Sequence, residues 1–193
     1  LANQTITLAG PTRTYKVQAD ANGQFDIACM PGGAYRVGAW GYRVADALIG
    51  ANGLVTITLD PAYYDDFELD LGWSTSATAT AGFWELGVPV ATTFQNNFSN
   101  PGSDVDFDNN EQCYVTGNGG GQAGFDDVDN GSVTLTTPPM QLAAYADAVL
   151  KYHFWFYNSG GDGNPNDRFE VKVLNGQQTA TVRTETASAS VWR

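Results

Sequence analysis

The chain has 193 residues, 42% apolar and 16% charged, with 22 glycines, 8 prolines, 10 Phe, 9 Tyr, 5 Trp and a formal net charge of −12. This composition supports a packed, β-rich core and excludes a disordered tail. The charge excludes a nucleic-acid backbone as partner, and no run of 18 apolar residues is present to span a membrane as a helix.

Helical periodicity is nearly absent. QTITLAG (4–10) and TYKVQAD (14–20) alternate apolar and polar residues, DANG (20–23) reads as a turn, and QFDIACM (24–30) as a further strand. PGG (31–33) is another turn, AYRVGAWGY (34–42) a strand of period two, and LVTITLD (54–60) closes the set. Alternation within PAYYDDFELDLGW (61–73) predicts a strand with Asp66, Glu68 and Asp70 on one face and Phe67, Leu69 and Leu71 on the other. Beyond it, 83–90, 113–121, 150–158 and 161–192 read as strands and loops, and AAYADAVL as a turn. Short strands punctuated by Gly, Asn and Pro predict an all-β antiparallel sandwich architecture.

Charge is unevenly spread. Residues 1–60 are balanced, whereas residues 61–193 carry 17 acids against 5 bases. This asymmetry predicts two domains, 1–60 and 61–193, the second seeking cations. Cys29 and Cys113 lie 84 positions apart without C-x-x-C spacing, which supplies neither a zinc site nor a disulfide framework. Few lysines beside many Thr, Asn, Gly and Tyr set the expectation of an extracellular setting.

ADANGQFDI (19–27), PGGAYRVGAWGYRV (31–44) and GLVTITLDP (53–61) together resemble the carboxypeptidase-regulatory-like domain, a transthyretin-type β-sandwich found as an accessory module in secreted proteins. LANQTITL resembles that family's second strand, which implies that its first is missing here. FELDLGW (67–73), WELGVPV (84–90), CYVTGN (113–118), DDVDNGSVTLTTPPMQL (126–142), WFYN (155–158) and NDRFEVKV (166–173) resemble a MAM/adhesin-like jelly-roll module that follows the catalytic domains of secreted bacterial proteases. The family continues with an S-N-D-G-G-x-x-W hairpin. LNGQQTATV (174–182) lacks its acid and tryptophan, and further strands are expected beyond SVWR.

Asp126, Asp127 and Asp129 stand within four positions and repel one another. Either solvent or a bound cation relieves that repulsion, and calcium takes about six to eight oxygens from carboxylates, carbonyls and amides. The jelly-roll resemblance implies a structural calcium, so Asp126, Asp127 and Asp129, joined by Asp66, Glu68 and Asp167, are the expected Ca²⁺ ligands. Asp104, Asp106 and Asp108 form a further acidic group, and Asp162 sits in a Gly-rich loop. The spacing is not that of an EF-hand, since no Glu closes the loop.

No catalytic residues are assigned. His153 is the single histidine, no G-x-S-x-G elbow appears, and neither cysteine has a base near it in sequence. Trp84, Trp155 and Tyr157 are candidates for stacking against a ligand, whereas Trp40 and Trp73 read as core. The resulting expectation is a non-catalytic accessory or adhesive segment of a secreted or cell-surface bacterial protein, stabilised by calcium. Its partners would be a catalytic domain in the same polypeptide and a surface glycan or protein. Two rival expectations are a carbohydrate- or peptide-binding module and a subunit that polymerises by β-strand addition.

Overall fold

The computed structural model describes residues 1–105, 110–160 and 164–193 and is all-β. Two compact units emerge: residues 1–74 with 136–146, and residues 75–135 with 147–193. This division differs from the 60/61 boundary read from the sequence, because residues 61–74 pack with the first unit.

In the first unit, β1 (Thr5–Ala9), β2 (Thr14–Gln18), β3 (Gly33–Gly38) and β4 (Ala45–Ile49) form an antiparallel sheet in the order β2-β1-β3-β4. Register pairs Leu8 with Val37 and Tyr35 with Ala47, so one face carries Ile6, Leu8, Tyr35, Val37, Ala47 and Ile49 into a core. Burying each such aliphatic side chain contributes about 1.5–3 kcal/mol.

The expected strands 24–30 and 54–60 do not join the sheet. Phe25, Ile27, Ile57 and Leu59 still pack on the core from extended segments. Alternation encodes which side chains are buried, and an extended segment satisfies it without a ladder partner. DANG does form its turn: the Asp20 carboxylate accepts the Asn22 and Gln24 N–H groups at 2.8 and 2.9 Å, and these bonds, Gln24's first, hold its pKa below the ordinary value.

The opposite face of the sheet is covered as well. Thr7 points away from Ile6 and Leu8 and is nevertheless only 2% exposed. Leu69 and Leu71 are buried over Gly38, where an added Cβ would stand 2.9 Å from Leu69 Cδ1 and 3.3 Å from Leu71 Cδ2. Gly38 therefore leaves the space that these two leucines fill. This packing is why residues 61–74 belong to the first unit.

The second unit is a set of small sheets. β6 (Trp84–Gly87) pairs antiparallel with β9 (Cys113–Thr116). β7 (Thr92–Phe94) lies between β8 (Asn97–Phe98) and β10 (Gly121–Gln122), the latter parallel to it. β12 (Phe169–Asn175) and β13 (Gln178–Glu185) form a hairpin. β5 (Ser74–Ala77) and β11 (Val133–Thr136) pair where the chain passes between the units.

Residues 150–158, expected as a strand, form only a short pairing with the chain's last residues. Phe154 and Arg193 exchange backbone hydrogen bonds of 3.0 Å, and Phe156 bridges Ala189. Phe154 stacks on Phe169 with centroids 5.0 Å apart, and the Arg183 and Arg193 guanidinium groups lie 4.5 and 4.8 Å from the Phe154 centroid. Cation–π attraction of this kind, with Arg193 also paired to Glu185 at 3.0 Å, anchors the segment.

Candidate binding groove and the acidic turn

The segment 65–72 is bent rather than a strand, because its aspartates bond their own backbone. Asp65, Asp66 and Asp70 each accept the N–H two residues on, from Phe67 (2.9 Å), Glu68 (3.3 Å) and Gly72 (3.0 Å). Such Asx turns compete with a ladder, and Phe67 is forced to φ +63°. The predicted three-carboxylate face therefore does not form: Asp66 is 7% exposed, and Glu68 and Asp70 are each paired with a base.

Those pairs tie the segment to the sheet. Arg36 donates Nε and Nη2 to the two Glu68 oxygens at 2.7 Å each, and Nη1 to Asp46 at 2.9 Å. The Glu68 bonds raise the Arg36 pKa further above its ordinary value, against the effect of burial. Lys16 Nζ donates to Asp70 at 2.6 Å. Burial pushes Asp70 upward, but the Lys16 bond, the Gly72 N–H and the Lys16 charge together hold it below the ordinary carboxylate value. Asp65 goes the other way: burial lifts its pKa to about 6, although Phe67 N–H and the Trp73 indole N–H, at 2.8 Å, both donate to it.

A groove of about 420 Å³ lies beside this segment, entirely within the first unit. Its floor is the outer face of β1 and β2, where Thr5 stands opposite Gln18 and Thr7 opposite Lys16. Trp40 and Tyr63 line it, with ring centroids 5.6 Å apart. Both rings are pinned at their polar tips: the Trp40 indole donates to Pro139 O at 3.0 Å, and the Tyr63 hydroxyl accepts the Gln141 N–H at 2.6 Å. Trp40 also meets Trp73 edge-on at 6.2 Å. Trp40 and Trp73, expected as core, are only half-buried.

The acidic turn of the second unit has a different explanation for each aspartate. Asp126 is 8% exposed, and its carboxylate accepts the N–H of Gly119 at 3.1 Å and of Gly120 at 2.7 Å. The GNGGG run makes a pocket of backbone donors around it, as anion-binding nests do. A Cβ at Gly117 would stand 2.8 Å from Asp126 O, and one at Gly120 would stand 2.6 Å from Val90 Cγ1. The Asn118 carboxamide donates to Val88 O at 2.9 Å and accepts Val90 N–H at 2.7 Å, supplying backbone-like pairing around Pro89, which has no N–H.

Asp129 is exposed and acts through its carbonyl, which accepts the Thr80 N–H at 2.8 Å, while Asn130 takes φ +53° to complete the turn. Asp127 is half-buried. Asp167 is exposed, and its carbonyl accepts the Asn158 amide at 2.9 Å. Among the described residues, no three acid, histidine or cysteine side chains gather into a group able to hold a metal ion. Asp126, Asp127, Asp129 and Asp167 thus do not form one donor set, and no such group draws on Asp66 or Glu68. Asp106, Asp108 and Asp162 lie outside the described residues.

The three aromatic candidates lie in the second unit, and none of them lines the groove. The Trp155 indole donates to Ser99 O at 2.7 Å and meets Trp192 edge-on at 5.9 Å. Trp84 is half-buried with its indole N–H enclosed and unbonded among the described residues, and Tyr157 is half-buried. His153 is exposed in its strand-like segment.

Sequence reasoning missed the groove because its parts are far apart: 3–18, 40, 63–72 and 138–141. The signal available was PPMQ, a rigid, polar-tipped stretch after a strand. Comparison with protein-family models, curated proteins and solved structures found no match for this chain.

Proposed function

We propose that this chain is a non-catalytic binding segment of a secreted or cell-surface protein, which anchors or positions a partner domain. The observation that carries this reading is the use made of the first unit's acids. Glu68, Asp70 and Asp65 are engaged with Arg36, Lys16 and Trp73; they fix the segment 65–72, whose Asp70, Leu71 and Gly72 line a preformed groove. Ligand sites have this character, a concave surface with a few fixed polar groups and aromatic rings. The resemblance to accessory modules of secreted proteases agrees with it.

The test is retention of the purified chain on insoluble cell-wall and matrix polysaccharides and on intact cells, beside turnover of peptide, ester and glycoside reporters. The reading expects retention without turnover. Turnover that is lost in Asp65→Asn or Asp70→Asn would overturn it.

A second reading, assembly by strand addition, is favoured by the β12–β13 hairpin. It is a two-stranded sheet whose Val173, Leu174 and Val182 are 47–64% exposed, and a ribbon of this kind invites a further strand. Sedimentation that stays monomeric up to high concentration would remove it.

A further inference from the structure

We propose that the groove of the first unit binds a short, uncharged saccharide, an inference that rests on the binding role proposed above and names its ligand class. Four facts narrow the chemistry.

The floor is a square of polar side chains. Thr5 and Gln18 are joined at 3.0 Å, Thr7 Oγ1 donates to Asp70 O at 3.4 Å, and Lys16 holds Asp70 at 2.6 Å. An apolar ligand laid on them would strip hydroxyl, amide and charged groups of water without replacing its hydrogen bonds.

The charges cancel. Lys16, the one basic residue lining the groove among the described residues, is neutralised by Asp70, and the chain carries a net charge of −12. Phosphate, sulfate and carboxylate ligands therefore meet no free cation. A vicinal diol, by contrast, finds an acceptor in the Asp70 carboxylate and a donor in the Lys16 ammonium side by side, with the Gln18 amide offering both.

The backbone of β1 is taken at the centre of the floor. At Thr7, β1 is paired on both sides, with Lys16 of β2 and Gly38 of β3. A peptide seeking main-chain hydrogen bonds needs an open edge; β1 has none at Thr7, and the sheet's edge on this side is β2, beyond the Thr7 floor position rather than on it.

The rings are fixed before any ligand arrives. Pro139 O and the Gln141 N–H hold the polar tips of Trp40 and Tyr63, so their orientation costs little on binding. Such rings offer apolar surface to the C–H face of a pyranose while the floor meets its hydroxyls.

The experiment screens the chain on an array of neutral glycans, sialylated and sulfated glycans, and proline-rich peptides, and then measures affinity for the best neutral oligosaccharide by titration. The expected result is binding to neutral glycans, weakened at least tenfold in the Lys16→Ala/Gln18→Ala double variant and unchanged in Trp155→Phe. A thermal melt of the double variant confirms that it is folded, since both substituted side chains are exposed. Binding confined to charged glycans or peptides, no neutral binding, or full affinity in the double variant overturns the saccharide assignment. If the double variant still adheres to cells or polysaccharides like the parent chain, the groove is wrong and the binding role stands. If the parent chain adheres to nothing, both fall.

Discussion

Arg36 grips Glu68 through two parallel hydrogen bonds of 2.7 Å across 32 positions of sequence. This fork joins the third strand of the first sheet to the segment that covers its outer face, and both side chains are largely withdrawn from water. Glu68→Ala leaves the guanidinium half-satisfied by Asp46 alone. Charge-assisted bonds of this type are worth about 1.5–3 kcal/mol. Urea denaturation is expected to show a loss of that order in the first unit. A change below about 0.5 kcal/mol, the scatter of ordinary surface substitutions, would mean that the segment is not held there.

Asp65 gives a pH signature. Its pKa of about 6 lies above the ordinary value of 3.8 because burial disfavours the anion. Between those values the folded state keeps a proton that the unfolded state has released. Stability from this group is therefore full at low pH and falls as pH rises toward 6. The total is on the order of 2–3 kcal/mol. Asp20, Asp70, Glu170 and Glu185, all held below their ordinary values, slope the opposite way. The check is thus the difference between the native chain and Asp65→Asn, measured by denaturation from pH 4 to 7. The difference should change across that window and level off above it.

Asp126 is predicted to be structural. Asp126→Ala removes a buried acceptor from the Gly119 and Gly120 N–H groups, and each orphaned donor costs about 1–3 kcal/mol. Gly120→Ala should also destabilise, since φ is +77° and the new methyl would meet Val90 at 2.6 Å. Because the carboxylate already faces two donors, melting in calcium and in chelator should coincide. A rise of several degrees with calcium would show that a cation takes part.

Gly38→Ala tests the packing of the covering segment. The methyl would stand 2.9 Å from Leu69 Cδ1 and 3.1 Å from Val44 Cγ2, and overpacking of this sort costs about 1–3 kcal/mol. Differential scanning calorimetry should show a lowered transition. Full retention of the native melting temperature would mean that the leucines do not lie over β3.

Ile6, Leu8 and Val37 were legible as core because period-two alternation encodes one buried face, whereas Ile49 lies in β4, a strand the sequence reading did not expect. Thr7 was not, since its burial depends on Leu69, Asp70 and Leu71, more than 60 positions away. The run from Asp65 to Asp70 misled because alternation ignores what an aspartate does to its own backbone, and three of them turn it. Crowding correctly marked Asp126 as unusual. Its partner was the glycine run just before it, whose N–H groups an anion can use as readily as a cation uses carboxylates. The groove escaped notice because Pro139 and Gln141 return to the first unit after an excursion of 61 residues through the second.

The most direct measurement follows the five tryptophan indole resonances by NMR while a neutral oligosaccharide is titrated. The groove account predicts that the Trp40 indole N–H, held against Pro139, shifts progressively, while those of Trp155 and Trp192, bonded to Ser99 and Ser103 in the second unit, stay still. Movement at Trp155 or Trp84 with Trp40 unchanged would contradict it.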